Sequence, residues 1–302
     1  MNVFITGGTG FIGTAVVAEL QRAGHEVTGL ARTDAAAEAL ALAGAASLPG
    51  SLEDLYSLRA GAGASDGVIH LGYVHDFSRF EDNARIDRGA IQAMGEVLAG
   101  SGRPLVIAHG TPVAAGRGAT EEDSPDPSVA GGRALSEQLL FSFVARGVRA
   151  ASVRLPRTVH GEGDHGFVPI IVRIAREKGV SAYIDDGCTR WPAVHRDDAA
   201  TLFRLAFENA GAGAVLHAVG DEGVAIRDIA EVIGRKVDLP VASIPPEQAF
   251  EHFGFLRAFI GVDAPASSQL TQKVMGWLPT RPGLIADLEA GHYFNVAHPV
   301  AT

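Results

Sequence analysis

The opening of the chain constrains the fold more than any other segment. An apolar run, Val3-Phe4-Ile5-Thr6, leads directly into Gly7-Gly8-Thr9-Gly10-Phe11-Ile12-Gly13, and Ile12, Val16 and Leu20 then recur at helical spacing. Gly7 permits the tight turn, Gly10 lets backbone N–H groups come close to a phosphate, and Gly13 lets the helix pack on the strand. The helix N-terminus adds unsatisfied donors and partial positive charge. Strand, glycine turn and helix in this order predict a diphosphate cradle for a dinucleotide, with Gly7, Thr9, Gly10, Phe11, Ile12 and Gly13 as its contacts.

Short apolar strands then alternate with helical patterns: 2–6, 26–30, 67–71, 104–108 and 150–155. That alternation predicts an α/β fold, a Rossmann-type doubly wound parallel sheet with a smaller C-terminal lobe for the substrate. Ligands of such sheets sit at the carboxyl ends of the strands. Residues 7–13, 31–33, 72–76, 109–113 and 156–165 are therefore where chemistry is sought. The expected division is a cofactor domain over 1–156, completed by 196–220, and a substrate lobe over 157–195 and 221–302. Helices are expected over 167–178, 196–209 and 225–236 and a strand over 214–219. The alanine-rich stretch 35–46 has helical composition and reads as a peripheral helix. Thr120 to Pro127, acidic and proline-containing, reads as a surface loop without functional weight.

With 302 residues, 47% of them hydrophobic, the chain buries a sizeable core. A net charge of -10, with Lys178, Lys236 and Lys273 far apart in sequence, argues against nucleic acid or an anionic membrane as partner. Cys188 is the single cysteine, which excludes an intramolecular disulfide and suits a reducing cytoplasm. Met1 abuts the first strand and no apolar run reaches membrane-spanning length, so a soluble cytoplasmic protein is expected.

At the end of the second strand an NAD-specific site wants a carboxylate for the ribose 2′-hydroxyl, whereas an NADP site wants a cation for the 2′-phosphate. This chain has Ala31-Arg32-Thr33, so Arg32 points to NADP(H) over NAD(H).

Three segments together carry a family pattern: Thr6 to Gly13, Asp66-Gly67-Val68-Ile69-His70-Leu71-Gly72, and Val153-Arg154-Leu155-Pro156-Arg157-Thr158-Val159-His160-Gly161. With Trp191-Pro192-Ala193-Val194-His195-Arg196-Asp197-Asp198 they resemble the extended short-chain dehydrogenase/reductases, also called the epimerase/dehydratase family. The resemblance implies that Leu71 and Gly72 lie along the adenosine ribose, that Pro156 to Val159 lie along the nicotinamide, and that a homodimer forms. Where the family usually has Gly-Asp after the third strand, this chain has Gly50-Ser51, so Ser51 and Leu52 are the expected adenine contacts.

The same resemblance exposes a departure. The family's Tyr-x-x-x-Lys pair falls on Val129 and Arg133, and its upstream serine falls on Gly110 with Thr111 one residue on. Valine donates no proton, and arginine holds a ribose hydroxyl but does not shuttle protons. For Arg133 an i,i+4 ion pair with Glu137 is the competing reading. A substitute donor is sought in the strand-end loops among Tyr73, His75, His109, His160 and His165, with Tyr73 and His160 first because they follow strand ends directly. The expected catalytic set is thus Tyr73, Thr111 and His160. A metal at His160, Asp164 and His165 is not expected, because a glycine-rich turn does not preorganise ligands. Phe167, Val168, Trp191, Phe250, Phe253, Phe255 and Phe259 are candidates for lining a cleft between the lobes. The function this supports is NADP(H)-dependent reduction or oxidation of a small to medium organic substrate. The alternatives are a non-catalytic NADP-sensing protein and a redox-neutral epimerase or dehydratase.

Overall fold

The structure, a computed structural model, describes residues 1–74, 79–126 and 132–295. Its chain order begins β1 (Asn2–Thr6), α1 (Phe11–Arg22), β2 (Glu26–Ala31), α2 (Asp34–Leu42), β3 (Ala46–Pro49), α3 (Leu55–Gly63), β4 (Gly67–His70), α4 (Phe80–Leu98), β5 (Pro104–Gly110), α5 (Gly132–Ser142) and β6 (Arg149–Leu155). It continues with β7 (Thr158–His160), α6 (Phe167–Lys178), β8 (Ser181–Ile184), β9 (Arg190–His195), α7 (Arg196–Asn209), β10 (Ala214–His217), β11 (Asp221–Ala225), α8 (Ile226–Val237) and β12 (Val241–Ile244). Four short helices follow: α9 (Ala249–Phe253), α10 (Arg257–Ile260), α11 (Gln269–Met275) and α12 (Leu284–Ala290).

Seven strands form one sheet in the order β10-β6-β5-β4-β1-β2-β3. All its pairings are parallel. A parallel pair needs a crossover between its strands, and α1 to α5 and α7 supply them. The strands are buried on both faces, and so Val3, Phe4, Ile5, Val68, Ile69, Leu105 and Val106 read as continuous apolar runs rather than alternating ones. Val16, Leu20, Phe203, Phe207 and Trp277 pack on one face of the sheet. Leu58, Ile91, Met94, Leu140 and Phe143 pack on the other. The strand order reverses at β1, which pairs with β2 on one side and β4 on the other, and that reversal opens a crevice at the carboxyl ends.

The remaining strands form two small sheets, β11-β9-β7 and β12-β8, around a separate core built on Val172, Trp191, Ile229, Ile233, Leu256, Ile260 and Leu288. Residues 214–217 return to the large sheet beside β6 through pairs such as Leu216 with Val153.

The alanine-rich stretch departs from expectation. The helix ends at Leu42, Gly44 takes a left-handed φ of 77°, and Ala46–Pro49 is a strand. Gly44 terminates the helix because its backbone tolerates that conformation. Pairing of Ala46 to Pro49 with Thr28 to Ala31 then overrides the helical propensity of the alanines. None of the described helices is long and apolar enough to cross a membrane.

Candidate functional site

The crevice is built by backbone proximity. Gly7 has φ 72°, and a Cβ there would sit 2.7 Å from the backbone nitrogen of Gly72, so the ends of β1 and β4 touch only because both are bare. A Cβ on Gly13 would sit 1.9 Å from the Gly7 carbonyl oxygen, which in turn accepts from the Gly10 N–H at 3.0 Å. Gly10 caps α1 without a side-chain hydrogen bond to its first turn, and Thr9 and Gly10 are exposed. The first-turn donors of α1 thus lack a side-chain acceptor, which fits a diphosphate.

At the ends of β2 and β3 a cavity of about 310 Å³ is lined by Arg32, Thr33, Asp34, Pro49, Gly50, Ser51 and Asp54 among others. Arg32 is exposed at its edge. Of the two carboxylates here, Asp54 is spent capping α3, accepting from the Tyr56 and Ser57 N–H groups. Ser51 Oγ accepts from the N–H groups of Glu53 and Asp54, which holds the turn that brings Leu52 to the crevice. A methyl of Leu52 lies 3.1 Å from where a Cβ on Gly72 would be. Leu71, Gly72 and Tyr73 follow β4, all half-buried.

Beneath Gly72 runs a buried polar chain. The Gly72 N–H donates to Thr6 Oγ1 at 3.1 Å, Thr6 Oγ1 lies 2.6 Å from His70 Nδ1, and His70 Nε2 lies 3.2 Å from Asp87 Oδ1. Burial alone would push the Asp87 carboxyl up, but the His70 hydrogen bond and the charges of His70 and Arg133 hold it below the usual carboxylate range. Sequence spacing gives no sign of this chain, because its members come from three separate elements.

Arg133 stands in the first turn of α5. Its Nη2 donates to the Ala108 carbonyl at 3.0 Å, its guanidinium carbon lies 4.0 Å from the Tyr73 ring centre, and its Nη1 is buried without a protein acceptor. The competing ion pair with Glu137 does not form: Glu137 is taken by Arg154, at 2.8 and 2.7 Å, and by Ser152. An arginine inside a strand buried on both faces requires such a partner, so Arg154 in the sequence was a readable signal. Arg154 also donates to the Asp123 carbonyl, and Glu121 accepts from Thr271. The acidic loop is thereby tied to β6 and α11 through Asp123 and Glu121, while Glu122 and Ser124 stay exposed at the surface.

The other expected residues fall as follows. Thr111 is half-buried at the end of β5, its N–H bound to the Leu155 carbonyl at 2.9 Å. Pro156 is buried and Val159 half-buried beside Val194. His109 is strapped between the carbonyls of Gly110 and Arg133, and burial lowers its pKa. His160 is 0% exposed: its Nδ1 lies 2.8 Å from Asp287, its ring packs against His195 at 5.5 Å, and its Nε2 is buried without a partner among the described residues. His165 is exposed, edge-on to Phe11 at 5.9 Å, with the Arg196 guanidinium on the same ring at 5.2 Å. His75 and Val129 lie outside the described residues. Of the aromatic candidates, Trp191 and Phe253 are core with Val168, and Phe250 and Phe255 are exposed, so Phe167 and Phe259, 4.9 Å apart, remain for the cleft. Among the described residues no group of three metal-ligating side chains converges.

A parallel sheet that reverses at a glycine-lined crevice defines a nucleotide-binding α/β protein of the Rossmann class. Within that class the chain belongs to the NAD dependent epimerase/dehydratase family, whose sequence pattern matches residues 3–219. It is 48% identical over 97% of its length to Schizosaccharomyces pombe "Uncharacterized protein C2A9.02", all of which it covers. It is 24% identical over 99% of its length to the 4-hydroxy-2-methyl-3-oxo-4-farnesyl-3,4-dihydroquinoline-1-oxide ketoreductase of Stigmatella aurantiaca, 93% of which it covers. MoeE5, solved in complex with UDP-glucose and NAD, shares the fold at a TM-score of 0.77 over 97% of both chains, with 22% identity.

Proposed function

We propose that this protein is an NADP(H)-dependent oxidoreductase that interconverts a carbonyl and an alcohol on a small to medium organic substrate. The observation that carries the reading is Arg133 stacked on Tyr73 at the carboxyl ends of β4 and β5, with Nη1 buried and unpartnered. A buried donor without an acceptor is costly unless a ligand completes it. The family resemblance puts Arg133 in the role of the lysine, where a guanidinium would bind ribose hydroxyls but keep its proton.

Gly7 to Gly13 hold the diphosphate, Leu52, Leu71 and Gly72 flank the adenosine, Arg32 takes the 2′-phosphate, and Pro156 and Val159 line the nicotinamide. The cofactor, when bound, supplies or accepts hydride. Tyr73 gives its hydroxyl proton to the carbonyl oxygen in reduction and recovers it from solvent, while Thr111 orients that oxygen. The similarity to a ketoreductase over nearly the whole chain supports the redox reading.

The test is NADPH oxidation, followed at 340 nm, against a panel of aldehydes and ketones. At least one carbonyl is expected to turn over. NADPH that binds yet stays reduced with every member of the panel overturns the reading.

A further inference from the structure

Arg157 follows Pro156 at the carboxyl end of β6 and carries a charge that no acid answers among the described residues. Its Nη1 donates to the Phe259 carbonyl at 3.0 Å, and its guanidinium carbon lies 5.2 Å from the Phe259 ring centre. It makes no ion pair among the described residues, and its Nε and Nη2 have no protein acceptor and are not sealed from solvent. The neighbouring arginines are satisfied: Arg154 holds Glu137, and Arg190 holds Asp263, the carboxylate nearest Phe259 in sequence, at 3.0 and 2.8 Å. Burial pulls the Arg157 guanidinium down to about 10. Arg157 is half-buried with no counter-ion among the described residues, and a planar fork with two open donors matches an oxyanion.

The position is beside Thr111. Gly110 and Leu155 are paired across β5 and β6, and the Thr111 N–H binds the Leu155 carbonyl, which places Arg157 two residues along from the end where Thr111 stands. On the far wall, Trp191 Nε1 donates at 3.1 Å to the same Phe259 carbonyl that holds Arg157, and Phe167 lies against Phe259. The fork is therefore fixed beside an apolar wall.

We propose that Arg157 anchors the anionic end of the substrate, a carboxylate or a phosphate monoester on a short apolar chain that lies along Phe167 and Phe259. The redox reading enters only in where the reacting carbon sits, near Thr111.

Titration calorimetry on the full chain, with and without NADPH, tests this with hexanoate, hexyl phosphate and hexan-1-ol as probes. One anion is expected to bind the wild type at least about tenfold tighter than hexan-1-ol, and which one it is distinguishes carboxylate from phosphate. Arg157→Met is expected to abolish that preference, and Arg157→Lys, which keeps the charge but loses the fork, to reduce it several-fold. The absence of any anion preference in the wild type overturns the proposal and leaves Arg157 as a strut for α10. So does a preference that survives undiminished in Arg157→Lys, which decides the matter if Arg157→Met does not fold. Anion binding without carbonyl turnover would keep this site while removing the oxidoreductase reading.

Discussion

Arg133 lies over the Tyr73 ring at 4.0 Å and is tied to the Ala108 carbonyl, so one guanidinium joins the loop after β4 to the end of β5. Its third valence, Nη1, is what the ribose would use. Replacement by leucine removes a charge-assisted hydrogen bond, on the order of 1.5–3 kcal/mol. Arg133→Leu is expected to weaken NADPH binding by about ten- to hundredfold in a fluorescence titration. An unchanged dissociation constant would assign Arg133 to loop packing alone.

Arg32 edges the cavity at the ends of β2 and β3, where Asp54 is already committed to capping α3. Arg32→Ala is expected to lower the preference for NADPH over NADH by about tenfold or more, with NADH binding little changed. The measurement is the ratio of the two dissociation constants in each protein. A ratio equal to that of the wild type would remove Arg32 from phosphate recognition.

Asp164 is pushed up to about 6, chiefly by burial, against the opposing hydrogen bonds from the Gly166 N–H and the Tyr293 hydroxyl. The folded state therefore favours the protonated acid. That contribution is complete below the ordinary carboxylate value near 4 and is lost as pH rises through about 6. The full loss is on the order of 3 kcal/mol. Asp164→Asn stays neutral, so its Tm is expected to gain on the wild type by several degrees between pH 4.5 and 7.5. Parallel Tm curves over that range would contradict the assignment.

Glu137 and Arg154 are 4% and 3% exposed, so neither charge is answered by water. Burial would push the Glu137 carboxyl up, but Arg154 and Ser152 hold it below its usual range. Glu137→Gln leaves the Arg154 charge uncompensated and is expected to cost about 3–5 kcal/mol in urea unfolding. The double variant Glu137→Leu/Arg154→Met is expected to recover much of that loss. A single variant that costs less than about 1 kcal/mol would show that the pair is solvated in solution.

The parts of this fold that the sequence revealed are those fixed by neighbours in the chain. The Gly7–Gly13 turn, the strand end at Leu155, and the helices over 167–178 and 196–209 depend on local spacing, and the structure has them there, with β4 closing one residue early at His70. Features set by distant partners were not legible. Ala46 to Pro49 became a strand through pairing with β2, and the burial of His160 depends on Asp287, 127 residues away. The acidic loop gained its place from Arg154 and Thr271. Arg157 was within the expected nicotinamide segment, but its significance is the absence of an acid around it among the described residues, which no pattern of residues along the chain can display.

In the proposed reaction Tyr73 protonates a carbonyl beside a bound nicotinamide. Single-turnover oxidation of NADPH by a substrate identified in the carbonyl panel tests it, comparing the wild type with Tyr73→Phe at equal cofactor saturation. The Tyr73→Phe rate is expected to be lower by about a hundredfold or more, with the NADPH dissociation constant within about threefold of the wild type. A Tyr73→Phe rate equal to that of the wild type would contradict it and return the proton to another group or to water.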